Sequence, residues 1–285
     1  MDKKTKKIAI QGSYGAFHEI AAKYYFGEEK VKIVPRNTFK ELMHSVKKGH
    51  VDYGIMAIEN TVAGSIISNY RLLIDANEKI VGEIYLRIKQ NLLALPGQKI
   101  EDIKEVYSHP MAILQCEVFF EKYPHIRLIE SVDTALSAKE IKEKQLRGVG
   151  AIGSALAGEM YGLEVLNESI ETNKMNYTRF LILKIDDTQG NGIKKEMINK
   201  ASIHFSLAHK IGSLSKILSI FSYYDINLSK IESVPIIGKD WEYQFFVDVE
   251  FDNYVVYKKA LNAVEPFMSN LRILGEYAKG KSIMD

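Results

Sequence analysis

Polar residues able to bind or polarise a substrate recur where apolar runs end. Ile58-Glu59-Asn60-Thr61 closes one such run and is followed by Gly64-Ser65. Open α/β sheets hold ligand groups at the carboxyl ends of their strands. Capping of a following helix by Asn60 or Thr61 is the local alternative. Ser108-His109-Pro110 ends a second run and opens a helical pattern. Gln115 follows Ser108 by two helical turns, so both can face one cleft. Taken singly, Ser108 is as readily a helix cap, and His109 a solvated or packed ring. Asn176-Tyr177-Thr178-Arg179-Phe180 opens a third run, with Thr178 and Arg179 expected at a rim and Phe180 in the core. Arg179 suits a bidentate pair with a carboxylate, or a surface ion pair. Gly12-Ser13-Tyr14-Gly15 follows a short apolar run. Its backbone N–H groups either face an anion or simply make a tight turn. It lacks the third glycine of a dinucleotide loop, and Val34-Pro35-Arg36 stands where an acidic residue is required. There is no phosphate-loop, Gly-x-Ser-x-Gly or His-Glu-x-x-His pattern.

The elements that must carry these residues alternate. Apolar, β-branched stretches at 7–10, 31–34, 52–58, 106–107, 126–129, 149–152, 164–166 and 178–185 read as strands. Residues 79–95 hold two more, closed by Pro96-Gly97. Helical spacing is expected over 15–26, 38–49, 64–74, 110–120, 134–144 and 154–161. Thr38-Phe39-Lys40-Glu41 has capping-box spacing. This alternation predicts an α/β domain with largely parallel sheets over residues 1–186. Residues 187–199 are polar and glycine-bearing and read as a linker. From 200 to 285 the pattern is βαββαβ, that of a ferredoxin-like domain. Its first helix places Leu214, Ile217, Leu218 and Phe221 at core spacing, and its second runs from Tyr254 to Phe267.

Together these motifs resemble the prephenate dehydratase family, in the family's order and along nearly the whole chain. The family's Gly-x-x-Gly-Thr-Phe-Ser-Glu turn reads Gly12-Ser13-Tyr14-Gly15-Ala16-Phe17-His18-Glu19, and its Glu-Asn-Ser reads Glu59-Asn60-Thr61. Ser-His-Pro with its glutamine is complete as Ser108-His109-Pro110 and Gln115. Asp133-Thr134-Ala135 and Asn176-Tyr177-Thr178-Arg179-Phe180 also match. Past the linker, Gly212-Ser213-Leu214, Ile226-Asn227-Leu228 and Glu232-Ser233-Val234-Pro235 resemble motifs of the family's ACT domain. The departures are Ala16 for threonine, His18 for serine, Thr172 for aspartate and Val234 for arginine.

The resemblance implies a bilobal, periplasmic-binding-protein-like catalytic domain with a cleft, followed by the ACT domain. It implies decarboxylative dehydration of prephenate to phenylpyruvate on the route to phenylalanine, a lyase reaction driven by aromatisation. Such chemistry needs anion anchoring, orientation and help for a departing hydroxide, and no cofactor or metal. Thr178 is then the contact to the leaving oxygen and Arg179 the carboxylate anchor. Asn60, Ser108 and Gln115 supply neutral hydrogen bonds, and Glu59 is an acid if burial keeps it protonated. Phe180, Thr61, Gly64 and Thr134 surround the substrate. L-phenylalanine is the implied effector, held by Gly212, Ser213, Leu214, Asn227, Glu232 and Ser233. Paired ACT domains imply a homodimer or homotetramer.

Bulk composition bounds these readings. The 285 residues are 46% hydrophobic and 26% charged, with net charge +2. Nothing there points to nucleic acid or a membrane surface. Lys3, Lys4, Lys6 and Lys7 precede only Ile8-Ala9-Ile10, too short for a secretory apolar region, so a cytoplasmic protein is expected. Cys116 is the only cysteine, which excludes an internal disulfide. The rival readings are an arogenate dehydratase, a non-catalytic amino-acid-sensing binder and a nicotinamide-linked enzyme.

Overall fold

A computed structural model describes residues 5–74, 76–185, 194–239 and 242–283. In chain order the elements are β1 (Lys6–Gln11), α1 (Phe17–Phe26), β2 (Val31–Arg36), α2 (Phe39–Lys47), β3 (Tyr53–Asn60), β4 (Gly64–Ser65), α3 (Ile67–Ile74), β5 (Glu78–Arg87) and β6 (Asn91–Ala94). There follow β7 (Glu105–Ser108), α4 (Pro110–Phe120), β8 (Arg127–Glu130), α5 (Thr134–Lys144), β9 (Val149–Gly153), α6 (Ala155–Tyr161), β10 (Glu164–Asn167) and β11 (Tyr177–Ile185). The C-terminal stretch holds β12 (Lys200–Ser206), α7 (Ser213–Tyr223), β13 (Asn227–Pro235), β14 (Tyr243–Glu250), α8 (Tyr254–Val264), β15 (Ser269–Tyr277) and β16 (Ser282–Ile283). Of the expected linker, 187–193 lie outside the described residues, and Lys195–Met197 form a short 3₁₀ turn.

Two sheets carry the candidate site. One runs β2-β1-β3-β11-β5-β16, with β4 hairpinned onto β3. Its β1 is parallel to both neighbours and buries Ile8, Ala9 and Ile10 completely, the continuous apolar run that a strand covered on both faces requires. The other runs β10-β6-β9-β7-β8. It is mixed rather than parallel throughout: β7 is parallel to β8 and β9, while β6 is antiparallel to β9 and β10.

Backbone sterics move several expected helix ends. The first helix starts at Phe17, not Gly15, because Gly15 has φ +86° and Ala16 is extended. Glu19 turns back to accept the Gly15 N–H at 2.8 Å. Gly64 does not begin a helix. It sits at φ +81° opposite Asn60 in β4, and the helix opens at Ile67. The last helix stops at Val264, since Pro266 has no N–H to continue it; Glu265–Phe267 tighten to 3₁₀.

Contacts divide the chain into two compact units, residues 1–66, 84–180 and 282–285, and residues 67–83 with 181–281. The second contains the ferredoxin-like sheet, in the order β13-β14-β12-β15. On one face, Ile203, Phe205, Val247 and Val249 pack on Ile217 and Phe221 of α7 and Tyr257 and Leu261 of α8. Leu214 and Leu218 are not part of that core, so α7 buries a narrower stripe than its spacing predicts. The other face of β12 carries Lys200, Ser202, His204 and Ser206, all buried. Residues 67–83 cover that face. Tyr70 packs on Phe246 with ring centroids 4.9 Å apart, and Lys79 Nζ donates to the Ile273 carbonyl at 2.8 Å. Gly275 lets the Ile80 backbone approach where any side chain would collide.

Candidate active site

A cavity of about 350 Å³ opens within the first unit, between the two sheets, in the usual size range for a small-molecule site. Asn60 reaches it from the end of β3, Thr178 and Phe180 from the start of β11, and Gln115 from two turns into α4. The opening turns of α1, α4 and α5 contribute Ala16, His18, His109, Met111, Asp133 and Thr134. The helices therefore aim their positive dipole ends at one space. Among the described residues, no lysine or arginine lines it.

A network of amides orders this wall. Asn60 Nδ2 donates to Asn176 Oδ1 at 2.7 Å and to Thr178 Oγ1 at 3.0 Å. Asn60 Oδ1 accepts the N–H groups of Val62 and Ala63 at 2.9 and 2.8 Å, which fixes the amide's orientation. Asn176 Nδ2 donates to Gln115 Oε1 at 2.9 Å. Thr178 Oγ1 is thus an acceptor towards Asn60. Its own hydrogen is left to donate into the cavity, because a hydroxyl carries one donor besides its acceptor lone pairs.

Strand alternation decides which expected residues reach the wall. Successive side chains point to opposite faces, so Thr178 and Phe180 line the cavity and Arg179 does not. Arg179 is buried on the other face of β11, its guanidinium 5.9 Å from the Tyr85 ring centroid. Glu59 is likewise opposed to Asn60 on β3 and is absent from the wall. Ser108 is fully buried and donates to the Ile152 carbonyl at 2.8 Å, and His109 caps α4 instead, its Nδ1 accepting the Met111 N–H at 3.2 Å. Thr61 is exposed and staples the start of β11: its Oγ1 accepts from Tyr177 N at 2.9 Å and donates to the Met175 carbonyl at 2.8 Å. Gly64 is exposed in β4, while its neighbours Ala63 and Ile66 line the cavity. Thr134 lines it directly.

The Gly12–Gly15 turn serves close packing. A side chain at Gly12 would meet Asp133 Oδ2 at 2.7 Å, and one at Gly15 would meet the Ala157 backbone at 2.8 Å; both glycines have positive φ. Ser154 Oγ donates to the Gly15 carbonyl at 2.6 Å and Tyr161 OH to the Tyr14 carbonyl at 2.8 Å. This turn of one sheet is thereby fastened to α6 beside the other.

Asp133, His18 and Gln90 also line the cavity, though neither their type nor their spacing marks them as site residues. Asp133 caps α5, its Oδ1 accepting the Leu136 N–H at 2.7 Å. Burial raises its pKa, against the opposing pull of the Leu136, Ser13 and Ala135 N–H groups. Gln90 Oε1 and His18 Nε2 are buried without a hydrogen-bond partner among the described residues. The His18 ring lies edge-on to Phe180 at 4.9 Å and tilted to Phe39 at 5.5 Å. Burial pushes its pKa down to about 3. The unfolded chain then binds a proton, near pH 6.5, that the folded chain refuses down to about pH 3. The neutral ring is cost-free above pH 6.5, and stability is lost as pH falls below it. Urea titrations of wild type and His18→Gln at pH 7 and pH 4 should show wild type losing roughly 1–3 kcal/mol more than the variant. Equal losses would place the imidazole in solvent.

The candidate effector residues lie in the second unit. Gly212 is the exposed N-cap of α7 with φ +77°, and Ser213 and Leu214 form its first turn. Asn227, Glu232 and Ser233 lie along β13, the edge strand of its sheet, with Glu232 paired to Lys230 at 3.5 Å.

Against known proteins, the model for prephenate dehydratase matches residues 8–188. The chain belongs to the prephenate dehydratase family. It is 38% identical to arogenate dehydratase 2 of Petunia hybrida, covering 97% of this chain and 73% of that protein. It is 34% identical to the bifunctional chorismate mutase/prephenate dehydratase of Aquifex aeolicus (strain VF5), over 96% of this chain and 74% of that one. The crystal structure of the prephenate dehydratase of Arthrobacter aurescens in complex with L-Phe superposes with a TM-score of 0.85, at 26% identity, covering 95% and 89% of the two chains. Within this family the Asn-x-Thr-Arg-Phe signature acquires a physical reading. Its asparagine and threonine are both partners of Asn60, and its phenylalanine packs the wall.

Proposed function

We propose that this chain is a prephenate dehydratase, converting prephenate to phenylpyruvate, CO₂ and water, and that residues 1–186 form its catalytic domain. The observation carrying this reading is the Thr178 hydroxyl, oriented by Asn60 so that its hydrogen is free to donate into a substrate-sized cavity. In the reaction the ring C–O bond breaks with its electron pair, and the electrons of the C–carboxylate bond flow into the ring as CO₂ leaves. One proton is taken up to make water. Thr178 polarises the departing oxygen and relays that proton, which solvent must resupply. Asn60, Asn176 and Gln115 hold it in place. With no lysine or arginine among the described wall residues, the substrate's carboxylates are best met by backbone N–H groups at the openings of α1, α4 and α5. Arg179 and Glu59 then act from behind their strands, not on the substrate.

Residues 200–285 are proposed as an ACT domain that senses L-phenylalanine through Gly212, Ser213, Leu214, Asn227, Glu232 and Ser233, following the 187–199 linker. The ferredoxin-like strand order supports this, as does the L-Phe bound by the Arthrobacter relative. Pairing of such domains would make a homodimer or homotetramer. No described helix is long and apolar enough to cross a membrane, and a cytoplasmic location is proposed. The test is phenylpyruvate formation by the purified chain, with prephenate or arogenate, each with and without L-phenylalanine. Prephenate turnover reduced by L-phenylalanine is expected. Turnover of arogenate alone would move the chain beside its Petunia relative, and turnover of neither would end the dehydratase reading.

A further inference from the structure

Glu171 is a buried carboxylate that stands outside the cavity wall. Its side chain has no exposed surface, and it is not among the described lining residues. Taking a carboxylate out of water is costly unless it is paired and hydrogen-bonded. Its partners show what it holds. Oε2 accepts the Gln90 N–H at 2.9 Å, and Oε1 accepts the Ser169 hydroxyl at 2.7 Å, with the Arg87 guanidinium 3.9 Å away. Ser169 is in the left-handed region, at φ +50°. A non-glycine residue keeps that conformation only where its surroundings impose it. Here the Asn91 side chain accepts its N–H at 3.1 Å, and Glu171 takes its hydroxyl.

Gln90 and Ser169 lie on the two segments that join the sheets. The chain leaves the first sheet at the end of β5 and enters the second at β6; it returns between β10 and β11. Backbone bonds tie the two crossings together. The Ile88 N–H donates to the Asn176 carbonyl at 2.7 Å, and the Ile170 N–H to the Gln90 carbonyl at 2.7 Å. Glu171 adds the Gln90 N–H, so Gln90 is gripped at both its backbone groups. The next residue, Thr172, donates its N–H to the Gln115 carbonyl at 2.8 Å. Gln90 and Gln115 both line the cavity, and Gln90 Nε2 donates to Gln115 Oε1 at 3.5 Å. From Gln115 Oε1 the amide network runs through Asn176 and Asn60 to the Thr178 hydroxyl.

We propose that Glu171 is a positioning residue for the dehydration, holding Gln115 in the place from which the amide network orients Thr178. This rests on the dehydratase reading and extends it to a group that never meets the substrate. Glu171 aligns the group that assists the departing oxygen and makes no contact that binds substrate, so its effect belongs in kcat rather than KM. The negative charge is not what the network needs. Glutamine has the same shape: its Oε1 accepts the Gln90 N–H while its Nε2 donates to Ser169 Oγ, a hydroxyl able to accept once its own hydrogen turns away. Leucine fills much of the volume and offers neither partner an acceptor.

The test measures kcat and KM with prephenate for Glu171→Leu and Glu171→Gln, alone and in a Gln115→Ala background. Rates are taken well below each protein's Tm, so that a loss of folded protein does not pass for a loss of turnover. E171L should lower kcat by about 10–100-fold and change KM less than about threefold. E171Q should stay within about threefold in both. In the Gln115→Ala background, itself slower, E171L should cost less than about a further threefold, because the residue it acts through is gone. An E171L kcat within about twofold of wild type overturns the inference. So does an equal loss with and without Gln115, which a merely structural role predicts, and so does E171Q failing as badly as E171L. Should E171L not fold, Glu171→Asp decides, because it keeps the charge but is one methylene short of spanning Gln90 and Ser169. E171D should lower kcat about tenfold, and less than about threefold in the Gln115→Ala background; a kcat within about twofold of wild type, or equal losses in both backgrounds, overturns the inference. Wild-type turnover with kcat indifferent to these substitutions would sink only this role. Wild-type inactivity on prephenate and arogenate alike would sink the dehydratase reading and this role with it.

Discussion

Thr178→Val is expected to lower kcat for phenylpyruvate formation by about 10²–10³, with KM changed less than about fivefold. Valine matches the shape of threonine and keeps β-branching on β11, so the strand and its packing survive. What disappears is one hydroxyl. Asn60 Nδ2 loses an acceptor at 3.0 Å but retains Asn176 Oδ1 at 2.7 Å, so the amide stays in position. The cavity then has no donor facing the departing oxygen at that place, and hydroxide is too poor a leaving group to depart unassisted. Thr178→Ser restores the donor and should recover activity to within about tenfold of wild type. Asn60→Ala should fall between them, because the hydroxyl remains but loses its orienting partner. A Thr178→Val enzyme keeping more than a tenth of wild-type kcat would show that another group protonates the leaving oxygen, with Asp133 the next to test.

The sequence motifs located this site at the level of strand ends. Asn60, Gln115 and Thr178 were readable because Asn60 closes an apolar run, Thr178 opens one, and Gln115 lies two helical turns past the end of another. Which side chain of each motif enters the cavity was not readable, because a one-residue phase decides it. Arg179 and Glu59 have the chemistry of an anchor and an acid, yet pleating turns both away. Ser108 was consumed by a backbone carbonyl from a strand more than forty residues later, a pairing no local pattern encodes. His18 carried a signal, its departure from the family's serine, but its packing against Phe39 and Phe180 and the burial of Nε2 were not legible in the sequence. The βαββαβ order of the C-terminal region was legible from periodicity alone. Its partner was not. Lys200, Ser202, His204 and Ser206 alternate along β12 like a solvated face, yet described residues of the segment 67–83, recruited from far upstream, pack over it.

That buried polar face sets up the largest stability effect expected in the molecule. Lys200 is 1% exposed, and its Nζ lies 3.0 Å from Glu83 Oε1 and 3.4 Å from Glu250 Oε1. Glu83 also accepts the Gly280 N–H at 3.0 Å. Glu250 has a second cation, Lys279, at 2.7 Å; against desolvation, Lys279 and Lys200 hold its pKa below the usual range. Lys200→Met fills the space without the charge. Glu250 keeps Lys279, but Glu83 stays a buried carboxylate and loses the Lys200 cation. Breaking a buried pair from one side costs about 3–5 kcal/mol. Urea unfolding should therefore show Lys200→Met less stable by about 3 kcal/mol, with Tm lower by roughly 6–12 °C. The double variant Lys200→Met, Glu83→Gln should recover most of that loss, because the stranded charge, rather than the lost attraction, carries the penalty. A Lys200→Met protein within about 1 kcal/mol of wild type would mean that water reaches Glu83 and that residues 67–83 seal the sheet less tightly than their packing indicates.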